Sequence, residues 1–206
     1  RQGIKVEIKE QKIINAQQDK KRMAKDFIVA IELGSSKLTG IAGRKNPDGS
    51  ISILAVAKED SASYIRKGVA YNIERTAQGL SNIVSKLKNT LKTEIEQVYV
   101  GIGGQSIHSV KNSIVKELPL DCIVSRDMVN ELMDTNRSME YKDCEILDAI
   151  TQEYNVDGHY EDDPVGIQAR HLEGNFLNVL WRRSFYRNLN KSLDNSGIKV
   201  AEMYLA

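Results

Sequence analysis

The sequence predicts an α/β fold in which one sheet is interrupted by an inserted α+β unit. Three observations carry this. Phe27 to Ile31 is an apolar strand, and two further strand patterns follow it across the turns Gly34-Ser35-Ser36-Lys37 and Asn46-Pro47-Asp48-Gly49, which makes an antiparallel meander. From Ile73 to Leu91, Ala77, Leu80, Ile83, Val84 and Leu87 recur at helical spacing, giving a helix suited to cover that sheet. Finally, Ile198 to Leu205 reads as a strand that returns the chain to the first sheet, so residues 98–182 become an insertion within one larger domain.

A chain of 206 residues with 41% hydrophobic content has enough apolar side chains for one large domain or two small ones. Its net charge of +1 gives no general electrostatic reason to bind nucleic acid or an anionic membrane. Cys122 and Cys144 lack CxxC spacing and a companion histidine, which argues against a disulfide scaffold or a zinc site and fits a reducing compartment. No apolar run approaches the roughly 18 residues of a membrane span. The terminal Leu205-Ala206 follows a strand-like run, so the fold is expected to continue beyond this chain.

Residues 1–25, rich in Lys, Gln and Glu, read as a flexible tail whose Lys20-Lys21-Arg22 is solvated. The first strand is apolar on both sides, as expected of burial on both sheet faces, except at Glu32. A buried carboxylate costs several kcal/mol without a cation or donors, so its place at the strand's end points to a task. Beyond it, Gly34 allows close backbone approach, Ser35 and Ser36 add donors, and Lys37 supplies an ammonium. On these residues alone two readings stay open: an ordinary hairpin turn, or a phosphate site.

The second and third strands span 38–44 and 51–57, and 64–72 is a loop in which Gly68 sits beside exposed Arg66 and Lys67. Gln97 to Ile102 is a strand; the following GIGGQS lacks GxGxxG spacing and reads as a strand end with a bulge. His108 to Leu118 is another strand, and Ser125 caps a helix running to Met139 with Met128, Val129, Leu132 and Met133 facing inward. Two long strands, 144–156 and 167–181, are joined by the acid-rich tip 157–164, which lacks the calcium-loop pattern and reads as solvated. Neither His108 nor His171 has a partner at metal-ligand spacing. Phe185 to Asn195 is a helix closed by Gly197.

These segments resemble the amino-terminal part of the FtsA family, bacterial cell-division proteins of the actin and sugar-kinase superfamily. The matching pieces are IVAIELGSSKLTGIAG, ISILAVAK, KGVAYN, VYVGIGG, QEYNVDG and DPVGIQARHLEG. Gln152-Glu153-Tyr154 with Pro164-Val165-Gly166 is the specific part, since the first motif occurs across the superfamily.

The resemblance implies a partial actin-like (ribonuclease H-like) domain 1A over 26–97 and 183–206, carrying an α+β SHS2 domain, 1C, over 98–182. It implies a site for ATP and Mg²⁺ built partly from Glu32, Gly34, Ser35, Ser36 and Lys37, with Glu32 meeting the metal through water. The family has Asp at that position, and the extra methylene of Glu moves the carboxylate by about 1.5 Å. No residue is implied as catalytic, and turnover is at most that of a weak ATPase.

The implied partners are FtsZ, through a subdomain outside this chain, and the membrane, through a terminal amphipathic helix also outside it. Other FtsA copies and later division proteins are expected to meet the inserted domain, at the cytoplasmic face of the cell membrane at the division site. Two other readings share the core, an actin-fold kinase or ATPase and a pilus-assembly or chaperone relative.

Overall fold

The computed structural model describes residues 27–206, so the tail expected over 1–25 lies outside the described residues. In chain order the first elements are β1 (Ile28–Leu33), β2 (Lys37–Lys45), β3 (Ile51–Asp60), β4 (Ile65–Arg66), β5 (Val69–Ala70), α1 (Ile73–Leu91) and β6 (Val98–Ile102). They are followed by β7 (His108–Glu117), α2 (Arg126–Arg137), β8 (Cys144–Val156), β9 (His159–Glu161), β10 (His171–Arg182), α3 (Arg183–Ser196) and β11 (Val200–Leu205). The chain divides into two compact units, one holding the described residues up to Gly103 with Asn188–Ala206, the other Gly104–Arg187.

The first unit is built on a five-stranded sheet of order β11-β6-β1-β2-β3. β1, β2 and β3 run antiparallel in sequence, whereas β6 lies parallel to β1 and β11 parallel to β6. α1 starts where the Asn72 side chain accepts the Arg75 amide at 3.0 Å, which satisfies one of the free donors of the first turn. It stops at Lys92, whose left-handed φ of 55° turns its amide back onto the Lys88 carbonyl. Leu80, Ile83 and Leu87 on its inner face are fully buried, each worth about 1.5–3 kcal/mol.

Three expectations for this unit are corrected. β1 is not buried on both faces: Val29, Ile31 and Leu33 are buried while Ile28, Ala30 and Glu32 are exposed, because helical cover reaches one side only among the described residues. Glu32 is therefore a solvated carboxylate and needs no compensating charge. The boundary expected at 98 lies further on, since Val98–Ile102 pairs with β1 through Ala30↔Tyr99, Ile31↔Val100 and Glu32↔Gly101 and so belongs to this sheet. The 64–72 loop also holds a small hairpin, β4 with β5.

The second unit has a four-stranded sheet of order β7-β10-β8-β9 with α2 packed on one face. Ser125 caps α2 by accepting the Met128 amide at 3.3 Å. Val129 and Leu132 are buried with Phe176, Leu172, Val124 and Tyr154, and Met128 and Met133 pack at the edge of that core. A buried amide ladder, Asn112 to Asn136 to Asn178 and on to Tyr141, ties α2 to β7 and β10. The tip between the two long strands differs from expectation: β9 folds back on β8, and β10 begins only at His171. Residues 167–169 instead pair with 122–124, through Val124 N–H to Ile167 O and Ala169 N–H to Cys122 O, both 2.9 Å.

Candidate functional site

The sheet of the first unit changes direction between β1 and β6. From β1 the chain passes to β2 on one side; from β6 it eventually returns to β11 on the other. In an open α/β sheet such a switch point leaves a crevice at the carboxyl ends of the parallel strands, where backbone donors converge and no strand fills the gap. Glu32, Gly101 and the end of β11 meet there: the Ala206 amide donates to the Ile102 carbonyl at 2.9 Å, and a Cβ on Gly101 would stand 3.8 Å from the Glu32 Cα.

The turn that leaves β1 at this end is Gly34 to Lys37. It is tight: a Cβ on Gly34 would lie 2.5 Å from the Lys37 carbonyl oxygen, closer than any side chain tolerates. Ser61, just past β3 and fully buried, holds the turn from behind. Its hydroxyl donates to the Gly34 carbonyl at 2.6 Å and its amide donates to the Ser36 carbonyl at 3.1 Å. A third contact comes from the β4–β5 hairpin, where Lys67 and Gly68 take φ of 50° and 78° and the Gly68 amide donates to Ser35 Oγ at 3.0 Å. With its acceptor role filled, the Ser35 hydroxyl keeps its proton free to donate outward.

The structure thus brings together Glu32, Gly34, Ser35, Ser36 and Lys37 at one strand end, with the side chains of all but Gly34 exposed. The donor set suits an anion: hydroxyls, turn amides and an ammonium, with one carboxylate set to the side at Glu32. Arg66 does not join it, since its guanidinium stacks on the Tyr71 ring at 4.5 Å. Tyr64, beneath the hairpin, has its phenol pushed above the usual range, first by burial and then by Glu59 and Asp60. A cavity of about 220 Å³ lined by Ser81, Lys88, Gln97, Gly197 and Lys199 lies at the start of β6, away from the turn, and includes none of these residues.

Ser61, the Gly68 amide and Gly101 are parts of this site that sequence reasoning missed. Ser61 carries no motif and acts across 27 residues of chain. Gly101 stood in a GIGG run whose pairing with β1 alone gives it meaning. In the second unit, no group of three or more His, Cys, Asp or Glu among the described residues is arranged to hold a metal. Asp163 is held below the usual carboxylate range by the Arg126 guanidinium, consistent with a solvated ion pair at the acid-rich tip.

Comparison with known proteins adds to this geometry. Residues 104–180 match the family described as the SHS2 domain inserted in FtsA. The cell division protein FtsA of Porphyromonas gingivalis is 31% identical over 167 residues, covering 80% of this chain and 35% of that protein. The FtsA of Neisseria meningitidis serogroup B is 24% identical over 181 residues, covering 87% of this chain and 43% of its own length. This chain therefore spans well under half the length of these relatives. A solved PilM-PilN type IV pilus biogenesis complex superposes with a TM-score of 0.53 at 12% identity, over 86% of this chain and 47% of that one, a likeness of fold alone.

Proposed function

The chain belongs to the FtsA family of cell-division proteins, with a partial actin-like α/β domain and an SHS2 insert, and from that premise we propose that its Gly34–Lys37 turn holds the phosphate tail of a nucleotide. The single observation that supports this is the turn's place at the switch point between β1 and β6, with the Ser35 proton, the Ser36 hydroxyl and the Lys37 ammonium all facing solvent. The residues fit ATP and a magnesium ion. Ser35, Ser36 and Lys37 would take the phosphate oxygens, and Glu32 would meet the ion through water, as a hard cation that keeps its own shell prefers. When bound, the ion would screen the phosphate charge.

We assign the longer protein the role of a division adaptor. FtsZ would bind it through regions outside this chain, and a terminal helix would hold it at the cytoplasmic face of the cell membrane. Among the described residues no helix is long and apolar enough to cross a membrane. The second unit is the proposed docking surface for protein partners, namely later division proteins and further copies. Turnover of ATP would be at most weak.

The test is titration of Mg·ATP into the protein from the complete gene, where both walls of the nucleotide cleft are present. Lys37→Ala and Ser35→Ala are each expected to weaken binding by about tenfold, the loss of one charge-assisted or one hydroxyl contact to phosphate. Affinity unchanged in both variants would place the phosphates elsewhere.

A further inference from the structure

The β4–β5 hairpin breaks a local rule at its tip. Arg66 pairs with Val69, so Lys67 and Gly68 form a two-residue loop, and both take positive φ, 50° and 78°. Such loops favour Asn-Gly or Asp-Gly, because a short polar side chain tolerates this backbone at the first position. Asp121, Asp143 and Asp157 take positive φ elsewhere in keeping with that preference, and Lys92 does so where α1 ends. At the hairpin tip a lysine gains nothing from the conformation, and its Cβ is strained there. A residue held against its backbone preference points to a use for its side chain.

That strain sits next to the phosphate turn. The amide that donates to Ser35 Oγ at 3.0 Å belongs to the peptide joining Lys67 to Gly68, so the Lys67 Cα lies within roughly 5.5 Å of that hydroxyl. A lysine stem spans about 6 Å, enough to carry its ammonium to an anion held by Ser35 and Lys37. Lys67 is exposed and uncommitted: the salt bridges of the described residues engage Lys86, Lys88, Lys116, Arg126 and Arg183 instead. Arg66 beside it is occupied by Tyr71. The arm that carries Lys67 is fixed, with Ile65 buried, the Tyr71 amide on the Tyr64 carbonyl at 3.1 Å and Asn188 Nδ2 on the Ala70 carbonyl at 3.2 Å. A cation on a rigid arm meets its ligand without the cost of ordering a loop. It is also needed, since the protein's own charges at the turn, Lys37 and Glu32, cancel.

We propose that Lys67 is a second phosphate-binding cation, placed at the hairpin tip so that its ammonium closes over a polyphosphate lodged on the Gly34–Lys37 turn. The inference rests on the nucleotide reading above and adds to it a residue from outside the turn. It also gives the Gly68–Ser35 hydrogen bond a purpose: the bond sets the distance between the two cations that share the ligand. Lysine stands where asparagine would suit the backbone better because the site uses the charge.

The test is titration of Mg·ATP into variants of the protein from the complete gene, with amide hydrogen exchange at Gly68 read in parallel. Lys67→Asn removes the charge while easing the backbone, so affinity should fall by about tenfold at low salt, and by less as salt rises, while Gly68 exchanges no faster than in the wild type. Lys67→Arg keeps the charge and should bind within about twofold of the wild type. Lys37→Ala separates this inference from the reading beneath it. Weaker binding in Lys37→Ala but not in Lys67→Asn would overturn the role of Lys67 and leave the turn as the phosphate site. Unchanged binding in both would remove the phosphates from the turn and overturn the two together. Faster exchange at Gly68 in Lys67→Asn, or a loss in Lys67→Arg equal to that in Lys67→Asn, would make the effect one of hairpin structure and overturn the proposal.

Discussion

Gly34→Ala is expected to destabilise the first unit by roughly 2–3 kcal/mol and to remove nucleotide binding from the longer protein. The cause is local and steric. The added methyl would stand 2.5 Å from the Lys37 carbonyl oxygen, and the obstacle is backbone, so no rotamer change relieves it. The turn must open, which pulls the Gly34 carbonyl off the Ser61 hydroxyl and the Ser36 carbonyl off the Ser61 amide. Hydrogen exchange reads this directly, as faster exchange at the Ser61 amide together with a lower urea midpoint. Ser61→Ala provides the scale. It removes the hydroxyl contact but leaves the backbone path intact, so its cost should be smaller, about 1–2 kcal/mol.

The second large effect is expected at Phe176, where truncation to alanine should cost the second unit about 3–5 kcal/mol. Phe176 is 1% exposed at the centre of the core formed by α2, β8 and β10. Its ring lies against Gly174, where an added Cβ would come within 2.7 Å of the ring carbon Cζ, so this stretch of β10 is shaped around the ring. Little can collapse into the space: Leu132 is fixed on α2 by the amide ladder at Asn136, and Leu172 is held in the regular β7–β10 pairing. Trp181 fluorescence during urea unfolding measures the loss. A change under about 1 kcal/mol would mean that the core relaxes far more than this packing allows.

Much of this fold was legible because its signals are local. The span of α1, 73–91, followed from apolar spacing alone, and β8 emerged over 144–156 from its own pattern. The return of β11 to the first sheet also followed, because a strand after α3 had one natural place to pair. What was not legible depends on partners distant in sequence. Apolar residues on both sides of β1 implied two covered faces, yet cover is a property of what packs there, and Ile28 is 56% exposed. The membership of Val98–Ile102 in the first sheet is decided by Glu32↔Gly101 and its neighbours, a pairing that spacing does not encode.

The candidate site divides in the same way. Glu32, Gly34, Ser35, Ser36 and Lys37 are contiguous and were visible as a turn with donors. Their support was not visible, since Ser61 carries no motif and Gly68, although inside the KGVAYN piece, reaches the turn only after β2, β3 and the small hairpin have formed. The acid-rich tip is the opposite case. Its composition mixes acids with a histidine but lacks the calcium-loop pattern, and in the structure Asp163 pairs with Arg126 while Asp157 accepts the His171 amide at the start of β10.

The strand end at Gly34–Lys37 is proposed to meet the phosphates of a nucleotide. This is tested most directly by a crystal structure of the protein from the complete gene, grown with Mg²⁺ and a non-hydrolysable ATP analogue. Phosphate oxygens are expected within hydrogen-bond distance of the turn amides and Ser35 Oγ, with the Lys37 ammonium beside them. Phosphates bound at another edge of the sheet, with the turn facing open solvent, would contradict it.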